Sequence, residues 1–272
     1  MESLRDVRRW PVTAAAVAVV DASGVVVGSH GPQEQMFPLA SVTKLLSAYA
    51  VLLAVQEGAL DWDQPAGPPG ATVRHLLAHA SGLAFDTQRV SAAPGTKRIY
   101  SNTGFVVLAD AVAASCGIDF ADYLAEGVFQ PLGMSSTRLA GSAAAGAVST
   151  CADLARFAAE LQAPTLLAPR ILAEATRVAY PGLDGVLPGL GMQRPNHWGL
   201  GFELRDHKSP HWTGSRNSPA TFGHFGGSGT FLWVDPAAGA AVVALTNRDF
   251  GPWAREAWPQ FSDRVLAELA GT

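Results

Sequence analysis

Cysteine is nearly absent from this chain, with only Cys116 and Cys151 among 272 residues. Two thiols so far apart exclude a disulfide framework, and neither has the spacing of a metal ligand. Both lie in Ala-rich, helix-like surroundings (ASCGIDF and STCADLARF), where cysteine serves as a small buried hydrophobe. Charge is sparse as well: Asp, Glu, Lys and Arg make up 15% of the residues and the net charge is −4. Without a basic stripe or a block of one sign, the electrostatic footprint of nucleic-acid binding is missing. No apolar stretch reaches the ~20 residues that a membrane-spanning helix requires. Also missing are a G-x-S-x-G nucleophile elbow, a Gly-rich phosphate loop and a dinucleotide fingerprint.

What is present is a 48% apolar share, enough for a sizeable core, with Gly and Pro scattered as turn formers. Near the N-terminus Arg5, Arg8 and Arg9 precede the apolar run Val12 to Val20, a faint outline of an export signal. That run is short and β-branched, and Asp21-Ala22-Ser23-Gly24 and Val25-Val26-Val27 follow it at once, which is a strand, a turn and a strand. Cleavage there would remove a strand from the sheet inferred below. A cytoplasmic location is therefore expected.

Strands are expected over 13–21 and 25–30. A helix from Ser41 to Glu57 follows, with Gly58 as its C-terminal stop. This helix is apolar nearly all round (Leu45, Leu46, Tyr49, Val51, Leu52, Leu53, Val55), the mark of one buried between layers. The stretch from about 60 to 178 is helical in character, with segments at 72–79, 104–114, 120–129, 151–161 and 168–175. Short strands return at 199–205, 220–225, 229–234 and 240–247, and the turn Asp235-Pro236-Ala237-Ala238-Gly239 joins the last two as a hairpin. An amphipathic helix over 252–269 ends the pattern. The expected architecture is α/β (α+β): an antiparallel sheet built from both termini (1–60 and 179–272) and packed with helices, plus an inserted all-helical domain (61–178) with the site between them.

Three short stretches carry chemistry. Ser41-Val42-Thr43-Lys44 opens the buried helix, and i, i+3 spacing sets serine and lysine on one face, Cβ atoms about 5–6 Å apart. A serine hydroxyl needs a base. A free lysine, with a pKa near 10.4, is neutral in about one molecule in 2,500 at pH 7, whereas burial lowers that pKa by up to ~3–5 units. Taken alone, the stretch reads more readily as an N-cap serine with an incidental lysine. Tyr100-Ser101-Asn102 lies in a polar loop before a helix; a nearby ammonium would lower the phenol's pKa, and Asn102 can both donate to and accept from a substrate. A turn with a helix cap at Ser101 or Asn102 explains the same residues. His224-Phe225-Gly226-Gly227-Ser228-Gly229 joins two strands, and its small residues let a substrate approach the backbone. A plain Gly-rich turn is the alternative.

Order and surroundings change this reading. The succession S-x-x-K, Y-x-N, H-x-G resembles the three motifs of the serine β-lactamase and penicillin-binding-protein superfamily. The resemblance is closest to the class C β-lactamase-related serine hydrolases, which include family VIII esterases and D,D-peptidases. It extends to LASVTK around Ser41, VRHLLAHASGL from Val73, PGT through YSNTG from Pro94 and PLGM from Pro131, in the family's order along nearly the whole chain. The resemblance implies an α/β half joined to a helical half. It implies Ser41 as the acylated nucleophile, Lys44 and Tyr100 as the proton-handling pair and Asn102 as a substrate-orienting amide. It also implies an oxyanion hole from the N–H groups of Ser41 and Gly227, and catalysis without metal or cofactor.

His224 stands where many relatives have lysine, and Phe225 where they have a hydroxyl that helps hold a substrate carboxylate. With Gly226, these residues are expected to line the substrate site. A hydrogen bond to a charged group contributes about 1.5–3 kcal/mol, which phenylalanine forgoes. Neutral histidine also weakens the fixed positive charge. The expected substrate is thus a small or medium carboxylic ester, with β-lactam, D,D-peptide or amide as alternatives; Arg216 is the residue that would supply a missing cation. A catalytically silent ligand-binding relative is the reading from another class, and retention of Ser41, Lys44, Tyr100 and Asn102 together argues against it. His75 and His79 have the i, i+4 spacing of a zinc pair but lack the glutamate of H-E-x-x-H, so packing or helix-end hydrogen bonding is expected of them. His197, His207 and His211, beside Trp198 and Trp212, are either acyl-pocket or solvated loop residues. The sequence leaves the oligomeric state open.

Overall fold

The computed structural model describes residues 1–271. Its central sheet has six strands in the order β2-β1-β11-β10-β9-β8. The strands are β1 (Ala15–Asp21), β2 (Val26–His30), β8 (Glu203–Leu204), β9 (Phe222–Gly226), β10 (Thr230–Asp235) and β11 (Ala240–Thr246). Every pairing is antiparallel, and the two termini meet in the middle, where β1 lies along β11 from Ala15↔Thr246 to Asp21↔Ala240. The expected antiparallel sheet built from both ends is present. Its last member is shorter than the sequence suggested, with only Glu203 and Leu204 pairing to β9 out of the expected 199–205.

Alternation along the strands divides the core in two. Ala16, Ala18 and Val20 of β1, with Leu232 and Val234 of β10, face a layer that holds α1 (Thr43–Gln56) and α5 (Cys151–Gln162). Val17, Val19, Phe231 and Trp233 face the opposite layer, closed by α7 (Pro252–Ala270) through Trp258, Phe261 and Val265. Because side chains alternate between faces with period two, one strand feeds both layers. Residues Thr43 to Ala54 of α1 are all buried, as its lack of a polar face predicts. The helix α5 packs on β1 and β11, so the sheet's own layer takes in part of the stretch assigned to the helical insert.

The rest of the helical part comprises α2 (Val73–Leu77), α3 (Asn102–Cys116), α4 (Phe120–Leu124) and α6 (Pro169–Ala175). The expected helix over 120–129 is α4 followed by a π-helical turn, Ala125–Phe129. Two small sheets were not foreseen: β3 (Phe37–Pro38), β5 (Ala147–Ser149) and β4 (Arg138–Leu139) form one, and the hairpin β6 (Gly185–Leu187) with β7 (Gly191–Gln193) forms the other.

Gly226 fixes how the two chain halves meet. A Cβ built on it would run into Leu39 O and Thr230 Oγ1, so only glycine lets the end of β9 lie against the backbone that leads into Ser41. The same junction is strapped by Ser228 Oγ donating to Pro38 O at 2.7 Å and Thr230 Oγ1 donating to Leu39 O at 2.8 Å. Gly226→Val is expected to cost about 1–3 kcal/mol through overpacking, read as a melting point lowered by several degrees. An unchanged melting temperature would show that the junction has slack.

Candidate active site

Leu39 leads into a 3₁₀ turn, Ala40–Val42, from which α1 continues. Ala40 has φ 45°, a left-handed conformation uncommon for a residue with a side chain, immediately before Ser41. One turn on, Lys44 is fully buried. Its Nζ lies 3.3 Å from Ser41 Oγ, 2.6 Å from Asn102 Oδ1 and 2.9 Å from Ala144 O. Burial lowers the Lys44 pKa to about 7, with the Asp86 carboxylate opposing the shift. A neutral amine has two N–H bonds and one lone pair. With the two carbonyl oxygens taking the hydrogens, the lone pair is left to face the Ser41 hydroxyl. The local motif thus becomes a base through partners drawn from two remote segments.

Tyr100 arrives from the loop before α3, whose first turn is capped by Ser101 Oγ accepting from Gly104 N at 3.0 Å. That cap starts the helix at Asn102, two residues before the expected boundary. The Tyr100 ring stands 4.7 Å from Lys44 Nζ and packs against His79, Trp198 and His224. Its hydroxyl lies 3.2 Å from His224 Nε2, with the Ser41 hydroxyl close enough to favour its ionised form. The expected depression of its pKa does not occur. Burial pushes the phenol well up, and the Ser41 hydroxyl only partly offsets this. The neighbouring Lys44 ammonium that would have favoured phenolate is itself disfavoured by burial.

His224 is buried on β9, and its Nδ1 donates to Phe225 O at 2.6 Å. Burial, then the Lys44 charge, holds its pKa near 3, so the ring is neutral and its one proton is on Nδ1. Nε2 is therefore an acceptor, and the Tyr100 hydroxyl donates to it. This turns the phenol's proton toward His224 and leaves its oxygen free to accept from Ser41.

Adjacent strand residues face opposite ways, and this corrects one expectation. Phe225 does not line the cleft: its ring is buried in the α7 layer, 4.7 Å from Phe250 and 5.7 Å from Trp212 between centroids. Gly226 holds the junction described above, while a Cβ on Gly227 would meet nothing. Asn102 spans the site: its Oδ1 accepts from Lys44, and its Nδ2 donates to Asp86 Oδ1 at 2.7 Å. Sequence reasoning missed Asp86 and Ala144, both loop residues. Arg216 is set against α7, its amide donating to Asp263 Oδ1 at 2.6 Å.

The remaining histidines have structural partners. His75 Nδ1 is 2.9 Å from Thr72 Oγ1, and His79 Nδ1 accepts from Ser101 N at 3.1 Å. Among the described residues no group of three or more His, Cys, Asp or Glu is arranged to hold a metal ion. His197 pairs with Asp206 at 2.7 Å, and His207 is exposed. His211 is neither a pocket nor a solvated residue. It is buried 2.9 Å from Glu203 Oε2, whose carboxylate also takes Trp212 Nε1 at 3.0 Å and the ammonium of Lys208. Burial alone would push the Glu203 carboxyl up, but His211 and Lys208 outweigh it and hold it well below the usual range. Glu203→Ala would strand the buried Lys208 charge and is expected to cost about 3–5 kcal/mol of folding stability. A denaturant midpoint within experimental error of wild type would contradict that.

A model of the Beta-lactamase family matches residues 9–266. A solved structure described as a beta-lactamase from Mycobacterium bovis superposes with a TM-score of 0.97 and is 57% identical, covering 98% of this chain and 99% of that one. Penicillin-binding protein 4* of Bacillus subtilis is 29% identical over 137 residues, 38% of this chain and 30% of that protein. The D-alanyl-D-alanine-carboxypeptidase/endopeptidase AmpH of Escherichia coli is 27% identical over 172 residues, 46% of this chain and 45% of that protein. The chain thus spans less than half the length of these two curated relatives. With the match running along nearly its entire length and the serine, lysine and tyrosine side chains brought together, the chain belongs to the beta-lactamase family and is a serine hydrolase.

Proposed function

We propose that the chain hydrolyses uncharged carboxylic esters through an acyl-enzyme on Ser41. The observation that carries this reading is the neutrality of His224. Burial holds it uncharged, its single N–H is committed to Phe225 O, and Asp86 adds a carboxylate beside Asn102. A substrate carboxylate, such as that of a penicillin or a D-alanyl peptide, meets a neutral imidazole and a Lys44 amine whose pKa burial lowers to about 7, with an acid close by. An ester needs no cation there.

In this reading Ser41 Oγ attacks the ester carbonyl while its proton passes to the neutral Lys44 amine, with the still-protonated Tyr100 phenol oriented beside it by His224. The N–H groups of Ser41 and Gly227 donate to the resulting oxyanion; losing one such donor typically costs about 2.7–4 kcal/mol. As the C–O bond breaks, the alkoxide takes the proton back and leaves as the alcohol. Water then repeats the sequence on the acyl-enzyme, releasing the acid and restoring the Ser41 hydroxyl.

Two measurements test the proposal. A fluorophosphonate should add one adduct to the intact mass, and p-nitrophenyl butyrate should be turned over with at least ~10-fold higher kcat/KM than a chromogenic cephalosporin, the scale of one lost charge-assisted hydrogen bond. Folded protein that takes no label would leave the silent ligand-binding reading standing. Faster cephalosporin turnover would favour the lactam reading that the Mycobacterium bovis relative's description suggests.

A further inference from the structure

Beside Tyr100 the surface opens into a groove of about 740 Å³, walled by Phe85, Ile99, Tyr100, Val186, Pro188 and Met192. We propose that this groove holds an extended apolar group of the ester, so that the preferred substrates carry a chain of several methylenes instead of acetyl or methyl alone. The inference rests on the esterase reading and adds the substrate class.

Three observations converge. First, the groove is continuous with the site: Tyr100 forms its wall, and Phe85 O accepts from the amides of Asn102 and Thr103 at 2.7 and 3.2 Å. Phe85 itself stacks on Tyr100 with centroids 5.8 Å apart and planes 25° from parallel. Second, large apolar side chains stand in solvent along its rim. Phe85 is 50% exposed, and Val186 and Met192, directly opposite each other across the β6–β7 hairpin, are 51% and 52% exposed. Exposed apolar residues gathered on one concave surface mark a binding site, whereas scattered ones need no explanation.

Third, two of the three charged groups that line the groove are engaged elsewhere, while the third, Lys97, has an exposed side chain. The Arg98 guanidinium is buried and donates to four carbonyl oxygens, those of Ala78, Ala179, Tyr180 and Asn196. Asp184 is paired with Arg194 at 3.6 Å. The hairpin is also anchored: Arg98 N donates to Asp184 O at 3.0 Å, and a Cβ on Gly185 would collide with Arg98 O. A preformed apolar wall of this kind binds a hydrocarbon chain without first having to order itself.

The test uses two homologous series, p-nitrophenyl esters of lengthening acyl chain and acetate esters of lengthening alcohol. Burying a methylene is worth roughly four-fold in affinity, so kcat/KM should rise at least ~10-fold between the two-carbon and six-carbon members of one series. The responding series tells whether the groove takes the acyl or the alcohol part. The double variant Val186→Asp/Met192→Asp should cut that gain below ~3-fold. Val25→Asp, a similarly exposed valine beside β2, should leave it intact. Flat profiles in both series, or a slope that survives the double variant, overturn the inference. If esters are hydrolysed and Ser41 takes the fluorophosphonate, the esterase reading still stands. Absence of label and of all ester turnover overturns both.

Discussion

Ser41→Ala is expected to abolish the fluorophosphonate adduct completely and to lower ester turnover by at least ~10⁴-fold, with the fold intact by circular dichroism. Removing the nucleophile eliminates the covalent route, leaving only what binding and oxyanion donors contribute. The substitution is structurally mild. Ser41 is half-buried in the 3₁₀ turn, and the straps that hold this turn come from Ser228 and Thr230 to the carbonyls of Pro38 and Leu39. Retention of labelling would place the nucleophile elsewhere. Turnover without labelling would point to direct attack by water.

Lys44→Ala should lower kcat/KM at least ~100-fold, and Tyr100→Phe by a comparable factor, as expected when a positioned proton carrier is lost. The pH dependence separates the two. In the proposed mechanism the neutral Lys44 amine, with a pKa of about 7, is the active form, so kcat/KM should fall as the pH drops below that value and level off above it. Tyr100→Phe should keep this acidic limb at a lower rate, whereas Lys44→Ala should lose it. Asp86 stabilises the Lys44 ammonium, so Asp86→Asn should move the limb to lower pH. His224 cannot generate the limb, since burial keeps it neutral down to about pH 3. A limb that survives in Lys44→Ala would remove Lys44 from the role of base.

The sequence made the local half of this site legible. S-x-x-K spacing places Ser41 and Lys44 on the same helical turn whatever the rest of the chain does, and the uniformly apolar flank of α1 announced its burial. Contacts set by tertiary folding were not legible. Ala144 and Asp86 reach Lys44 and Asn102 from loops with no periodic signal, and carbonyl acceptors carry no residue signature at all. Strands of two or three residues, such as Phe37–Pro38 and Gly185–Leu187, are too short for alternation to register. The lysine's charge, which would depress the Tyr100 phenol, is visible in the sequence, whereas the burial that raises the phenol instead is a property of the folded chain. Phe225 was misplaced although strand alternation, applied one residue beyond His224, sends it to the opposite face.

The pairing of Ala15 with Thr246 has a consequence for biosynthesis. When the N-terminal hairpin leaves the ribosome, its natural neighbour has not been translated, and the inner edge of β1 is an open row of amides flanked by Ala and Val side chains. That edge invites the equivalent strand of another nascent copy, a route to strand exchange or aggregation. Closing the sheet therefore waits until β11 has been made, a contact of long sequence separation that slows folding.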